Sequence, residues 1–128
     1  MTALRILLVD DEKMLLALLK RHLERSGHSV VDALSAELAL SALDDSNPWQ
    51  PDVLIADETL PGERGSALAH QLLTRFSGMR CLLCSGYPLS LDVLPDALRS
   101  RAAILQKPYM PAALERALAD LMASSPPA

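Results

Sequence analysis

The sequence has no long apolar run, no run of basic residues and almost no cysteine, and each absence removes a class of function. Its longest uninterrupted apolar stretch, Met14 to Leu19, is far short of the roughly 18 residues that a membrane span needs. The N-terminus carries no secretory pattern, so the expectation is a soluble, cytoplasmic protein with no membrane partner. Lysine and arginine number 12 against 16 acids and nowhere cluster, whereas duplex binding rests on clustered cations that neutralise phosphates. Direct contact with nucleic acid is therefore not expected.

Cysteine is confined to Cys81 and Cys84. A C-x-x-C spacing in a helix-opening loop suggests redox or metal chemistry, but here it brackets Leu82 and Leu83 in a run that reads as strand. Residues three apart on a strand lie about 10 Å apart on opposite faces, beyond disulfide reach. Both thiols read as buried and inert. A zinc site would then need histidines, and His22, His28 and His70 show no ligand spacing; all three read as surface or boundary residues. No internal repeat is present, and the single low-complexity segment is Ser124-Ser125-Pro126-Pro127-Ala128, read as a flexible C-terminal tail.

What is present suits one domain over residues 1–123: 128 residues in all, half of them hydrophobic, with a net charge of −4. Leu4 to Val9 is a short apolar strand that ends abruptly in Asp10-Asp11-Glu12. From Glu12 to Ser26, Leu15, Leu16, Leu19 and Leu23 recur at helical spacing, and Gly27 is a natural stop. His28 to Ala33 predicts a second strand, and Ala36 to Asp45 a helix capped by Ser35. Ser46 to Pro51 is a proline-marked loop, with Trp49 as its anchor. Then come a strand through Ile55, a helix from Gly65 to Phe76 and a strand from Arg80 to Cys84. A fourth helix falls within Ser90 to Arg101, shortened or bent by Pro95. Ala102 to Gln106 is the fifth strand, and Pro111 to Met122 the last helix, with proline in its first turn. Strand-helix repeated five times implies an α/β fold with a parallel sheet covered on both faces. For five strands the flavodoxin-like, doubly wound order 2-1-3-4-5 is the common solution.

The stretch Asp52-Val53-Leu54-Ile55-Ala56-Asp57 followed by Leu60-Pro61-Gly62 delivers a carboxylate from a buried strand to a sharp loop. On this stretch alone Asp57 is either a reactive group or a turn former and helix cap. The predicted topology adds the deciding context. Strands one and three are neighbours from which the chain departs in opposite directions, so a crevice opens at their carboxyl ends. Asp10, Asp11 and Asp57 fall there; strand four ends in Ser85 and strand five in Lys107. Carboxylates this close repel by roughly 4 kcal/mol per pair at an effective dielectric near 20, so positive charge must compensate. An all-oxygen set is what Mg²⁺ prefers. A cation, a lysine and a hydroxyl around a carboxylate are the parts that phosphoryl transfer to aspartate needs.

This set resembles the receiver domain of two-component response regulators and hybrid sensor histidine kinases, over Leu4 to Met122. The resemblance rests on Asp10-Asp11 after the first strand, Asp57 with Pro61 four residues later, Ser85-Gly86 and Lys107-Pro108. It implies that Asp57 is the phosphoacceptor for a sensor histidine kinase or histidine phosphotransfer protein. It implies that Asp11 binds Mg²⁺ directly, Asp10 mainly through water, and that Asp57 and the Thr59 backbone carbonyl complete the protein ligands. Ser85 and Lys107 then contact phosphoryl oxygens, and the Lys107-Pro108 peptide is cis. None of the three histidines has the flanking pattern of a kinase acceptor. Ile104 stands where the family often places an aromatic switch residue, and Gly86 where alanine is frequent. Glu58, Glu63 and Arg64 read as a solvated rim, and Tyr87 as a possible shield over an acyl phosphate. Leu91, Val93 and Tyr109, on the helix 4, strand 5, helix 5 face, read either as a partner or homodimer surface or as core. The Ser85–Pro88 and Gln106–Tyr109 segments look like those of receivers attached to hybrid kinases. The chain is then either a stand-alone receiver or a piece of a longer protein.

Two other readings stay open. One is a pseudo-receiver scaffold that works without phosphorylation. The other is a magnesium phosphohydrolase of the haloacid dehalogenase type, which wants a second aspartate where Thr59 stands.

Overall fold

Short apolar runs alternate with helical periodicities along the chain, and the computed structural model, which describes residues 3–123, shows how they assemble. In order, β1 (Arg5–Val9), α1 (Lys13–Arg25), β2 (Ser29–Ala33), α2 (Ala36–Ala42), β3 (Val53–Asp57), α3 (Gly65–Arg75), β4 (Arg80–Ser85), a 3-10 turn (Leu91–Val93), α4 (Asp96–Arg99), β5 (Ala102–Gln106) and α5 (Pro111–Ala123) follow one another. The sheet has the order β2-β1-β3-β4-β5, and every neighbouring pair is parallel. This is the flavodoxin-like arrangement expected from the sequence. The tail at 124–128 lies outside the described residues.

Strand side chains alternate between two cores, as the period of two requires. Leu7, Val9, Leu54, Ala56, Cys81 and Leu83 point into one core with Ala39 of α2 and Leu68, Ala69, Leu72 and Leu73 of α3. Ile6, Leu8, Val53, Ile55, Leu82 and Cys84 point into the other with Leu16, Leu19 and Leu23 of α1 and Leu114, Leu118 and Leu121 of α5. Both faces of β3 are buried, which is why its sequence is apolar without alternation. Each fully buried leucine contributes about 1.5–3 kcal/mol relative to an exposed one. Cys81 and Cys84 thus stand on opposite faces as free, buried thiols.

The chain departs from the sequence reading in one helix and follows it in another. α2 stops at Ala42 rather than at Asp45, because the Asp44 carboxylate accepts hydrogen bonds from the Ser46 N–H and hydroxyl and Asn47 donates to the Ala42 carbonyl. Side-chain bonding of this kind competes with the next helical turn. The fourth helix is shortened at Pro95, as expected, and consists of the 3-10 turn and the single turn of α4. Gly27, at φ +98°, ends α1 in the left-handed region that glycine enters without strain. Trp49 packs partly against the first core and anchors its loop as expected.

Candidate functional site

Four strand ends build the site. Asp10 directly follows β1; its backbone N–H donates to the Ala33 carbonyl at 3.1 Å, and its Oδ1 accepts from the Glu12 N–H at 2.9 Å. That turn leaves Asp10 buried and Asp11 exposed. Asp57 closes β3, paired in register with Cys84, and Ser85 closes β4, paired with Gln106. Lys107 comes next on the chain, its backbone N–H bonded to the Ser85 carbonyl at 2.7 Å. The Lys107-Pro108 peptide is cis.

Lys107 Nζ donates to Asp10 Oδ2 at 2.9 Å and lies 3.4 Å from Asp57 Oδ2. Carboxylate oxygens of Asp10, Asp11 and Asp57 lie within 4.8 Å of one another. One ammonium is thus shared by Asp10 and Asp57 in a cluster of three acids. Burial pushes the Asp57 carboxyl up, the Lys107 charge draws it down and Asp10 pushes it up again; the net lies above its ordinary value. Burial alone would lower Lys107, but its bond to Asp10 and the charges of both acids hold it above its ordinary value. The two shifts agree physically, since the lysine has more negative partners than Asp57 has positive ones. The donor set is all oxygen, compact and short of positive charge, and it fits Mg²⁺ on all three counts.

Four of the residues singled out in the sequence thus meet: Asp10, Asp11, Asp57 and Lys107. Thr59 stays close through its backbone N–H, which bonds Asp57 and draws that carboxyl down. Ser85 differs. Its side chain is fully buried, its hydroxyl donates to the Tyr87 carbonyl at 2.7 Å, and its oxygen accepts from the Tyr87 N–H at 3.1 Å. In this arrangement the hydroxyl is committed to its own loop rather than to the carboxylates.

Several expectations need correction. Glu58 is not a solvated rim residue but is 1% exposed, with both carboxylate oxygens bonded to Ser66. Sequence reasoning missed it because a charged residue in a loop is normally solvated. A signal existed: α3 begins after Arg64, which cannot cap it, so an acceptor had to come from elsewhere. His28 is buried, its Nδ1 accepting from the Leu4 N–H at 3.0 Å, rather than at the boundary. Of the residues read as either dimer surface or core, Leu91 and Tyr109 take the core reading, packing against the two cores, and Val93 is exposed. Tyr87 is exposed beside Ser85, where the sequence put it.

Beside Lys107 runs a mostly apolar groove of about 250 Å³, lined by Leu15, Leu18, Leu19, Pro108, Tyr109 and Pro111. Of its lining residues Leu18 is the exposed large hydrophobic, and Met14 and Met110, next in sequence to Leu15 and Tyr109, are exposed as well. A larger cleft of about 500 Å³ lies at the opposite end of the strands. Its two guanidiniums, Arg5 and Arg75, are already paired with Asp52 and Asp45, and it is remote from the carboxylates.

Residues 6–119 match the family model described as response regulator receiver domain. The chain is 35% identical over 129 residues to the sensory/regulatory protein RpfC of Xanthomonas campestris pv. campestris, a match covering 96% of this chain and 17% of that protein. It is 34% identical over 122 residues to the response regulator protein FleR of Pseudomonas aeruginosa, covering 94% of this chain and 24% of the relative. The chain thus spans less than a quarter of the length of these two relatives. Among solved structures, a CheY-like receiver domain protein from Methanospirillum hungatei superposes with TM-score 0.77 at 26% identity, covering 93% of both chains. A receiver domain protein from Clostridium thermocellum gives TM-score 0.77 at 27% identity over 94% of both chains.

Proposed function

The chain belongs to the response regulator receiver domain family, and on that premise we propose that Asp57 is the phosphoacceptor of a two-component signalling relay. The observation that carries this reading is the convergence of Asp10, Asp11, Asp57 and Lys107 on one sheet edge. A carboxylate oxygen of Asp57 attacks the phosphorus of a phosphohistidine on a sensor histidine kinase or histidine phosphotransfer protein. A P–O bond forms, the P–N bond breaks, and its electron pair stays on the imidazole nitrogen. Asp10, Asp11, Asp57 and the Thr59 carbonyl hold Mg²⁺, which when bound supplies positive charge against the arriving phosphoryl oxygens. Lys107 pairs with one of those oxygens. Ser85 gives up its bond to the Tyr87 carbonyl and donates to another, and this exchange moves the loop that follows β4. A local electrostatic change of this kind is what a switch passes on as output.

The donor histidine has to reach Asp57, so its protein must lie against this edge of the sheet. The groove beside Lys107, with Leu18 exposed in it, offers that partner an apolar surface. A homodimer through α4, β5 and α5 is a second output surface, with Val93 exposed on it. No external substrate is turned over; the chemistry is confined to the chain's own side chain. No helix among the described residues is long and apolar enough to cross a membrane, which accords with a cytoplasmic location.

Incubation with acetyl phosphate tests the reading by intact mass. The parent protein gains one phosphoryl group with Mg²⁺ and none without it, and Asp57→Ala gains none under either condition. No adduct on the parent, while another receiver domain labels in parallel, contradicts the reading. It favours instead a phosphorylation-independent scaffold, which the commitment of Ser85 to Tyr87 and the single-turn α4 also suit.

A further inference from the structure

The end of β3 and the loop that follows it carry two groups that the proposed chemistry needs held in place, the Asp57 carboxylate and the Thr59 carbonyl. Much of that loop faces solvent, including Thr59, Pro61, Gly62 and Arg64. Glu58 ties it down from within. Its Oε1 accepts from the Ser66 N–H at 2.6 Å and its Oε2 from the Ser66 hydroxyl at 2.8 Å. Its backbone carbonyl accepts from the Gly65 N–H at 3.1 Å, and its own N–H donates to the Cys84 carbonyl at 2.8 Å. One residue thus joins the end of β3, the adjacent strand β4 and the first turn of α3.

A helix cap alone would not require this arrangement. Serine, threonine or aspartate at position 64 would cap α3 locally, without the cost of burying a carboxylate. What Glu58 adds is a connection to the residue that follows Asp57. The connection is stiff, because α3 begins directly on the acceptor peptide: a Cβ on Gly65 would lie 2.2 Å from the Asp57 carbonyl oxygen and 2.9 Å from its carbon. Any displacement of the first turn of α3 is therefore felt at Asp57.

We infer that Glu58 is a positioning residue for phosphoryl acceptance, its clamp on Ser66 fixing the Asp57 carboxylate and the Thr59 carbonyl relative to Lys107. The inference rests on Asp57 being the acceptor. The clamp works through hydrogen-bond geometry rather than charge, which separates it from an electrostatic effect of the extra acid. A glutamine at position 58 can accept from the Ser66 N–H and donate to the Ser66 hydroxyl, so it keeps the geometry and loses the charge.

The test compares Glu58→Ala, Glu58→Gln and Ser66→Ala with Val30→Ala, a buried substitution on β2 that perturbs the core without touching the loop. The rate of labelling by acetyl phosphate and the dissociation constant for Mg²⁺ are measured at a temperature where melting curves show every variant folded. Glu58→Ala is expected to slow labelling and weaken Mg²⁺ binding roughly 10- to 100-fold, the scale of losing a group that orients metal ligands; Ser66→Ala, which removes the hydroxyl bond to Oε2 but keeps the Ser66 N–H on Oε1, shows a smaller loss in both. Combining them adds nothing beyond Glu58→Ala. Glu58→Gln and Val30→Ala stay near the parent. Parental behaviour of Ser66→Ala overturns the inference, and so does a Glu58→Gln as slow as Glu58→Ala. Ser66→Ala, the milder change, decides the matter if Glu58→Ala does not fold. A parent that fails to label beside a labelled control receiver removes the acceptor reading and this inference with it; a labelled parent with unaffected variants removes the inference alone.

Discussion

At the scale of single residues, the acids and the lysine were legible because their positions follow from topology. A carboxylate placed at the end of a buried strand has no other direction to point than the sheet edge, and Asp10, Asp57 and Lys107 all end up there. Glu58 was only half legible: Arg64 cannot cap α3, which calls for an acceptor from elsewhere, but nothing in the local sequence names Glu58 as the group that bonds Ser66 eight residues on. Gly65 was not legible: the need for glycine comes from a close approach to the Asp57 peptide that no pattern records. Gly65→Ala should therefore lower stability by about 1–3 kcal/mol in urea denaturation, since the new Cβ meets backbone that cannot move aside. An unchanged midpoint would show that α3 slides freely over Asp57. Lys107→Ala removes the ammonium that Asp10 and Asp57 share. Its labelling by acetyl phosphate should slow roughly 10²-fold, the scale of losing one fixed donor to developing charge.

Among the elements, the strands and the long helices follow from periodicity, while the ends depend on partners far away in sequence. Arginines supply many of them. Arg101 is buried and donates to the carbonyls of Leu73, Phe76 and Met79, closing the end of α3. Arg80 donates to Leu121 and Met122 at the end of α5, and Arg75 to Leu43 beyond α2. These bonds satisfy carbonyls that a helix leaves open, yet they span 22 to 42 residues of sequence and could not be read from composition. Arg101→Ala should cost about 1–3 kcal/mol in chemical denaturation, because the carbonyls it leaves are buried. Arg5 and Asp52 join β1 to the approach of β3, the Asp52 carboxylate accepting from both the Arg5 backbone N–H and its guanidinium. Burial pushes the Asp52 carboxyl up, but the bonds from Arg5 outweigh it and hold the carboxyl below its ordinary value. The folded state then binds this proton less readily than the unfolded chain. The stabilisation is complete above the ordinary value near 3.8 and is lost as pH falls through the depressed one. Asp52→Asn should flatten that part of the acid denaturation curve, and an unaltered curve would remove the pair from the account.

For the whole molecule, sheet order and the two-layer core were readable from five strand-helix repeats, whereas the fate of Ser85 was not. Its bond to Tyr87 depends on a turn whose geometry only the assembled loop defines. The two cysteines report on the molecule as a unit. Burial pushes the Cys84 thiol up to about 12 and the Cys81 thiol higher still, and the two stand in opposite cores. Neither should react with a thiol reagent at neutral pH in the folded state, and both should become reactive with one shared opening free energy equal to that of global unfolding. Separate values would mean that the two layers open independently. The central claim, that this fold exists to offer Asp57 to a phosphoryl donor, is met most directly by locating the phosphoryl group. After acetyl phosphate labelling with Mg²⁺, borohydride reduction converts an aspartyl phosphate to homoserine, and peptide mass spectrometry reads its position. The account predicts homoserine at position 57 and nowhere else; a phosphoryl group at another residue, or an unmodified residue 57 in a protein that has gained mass, would contradict it.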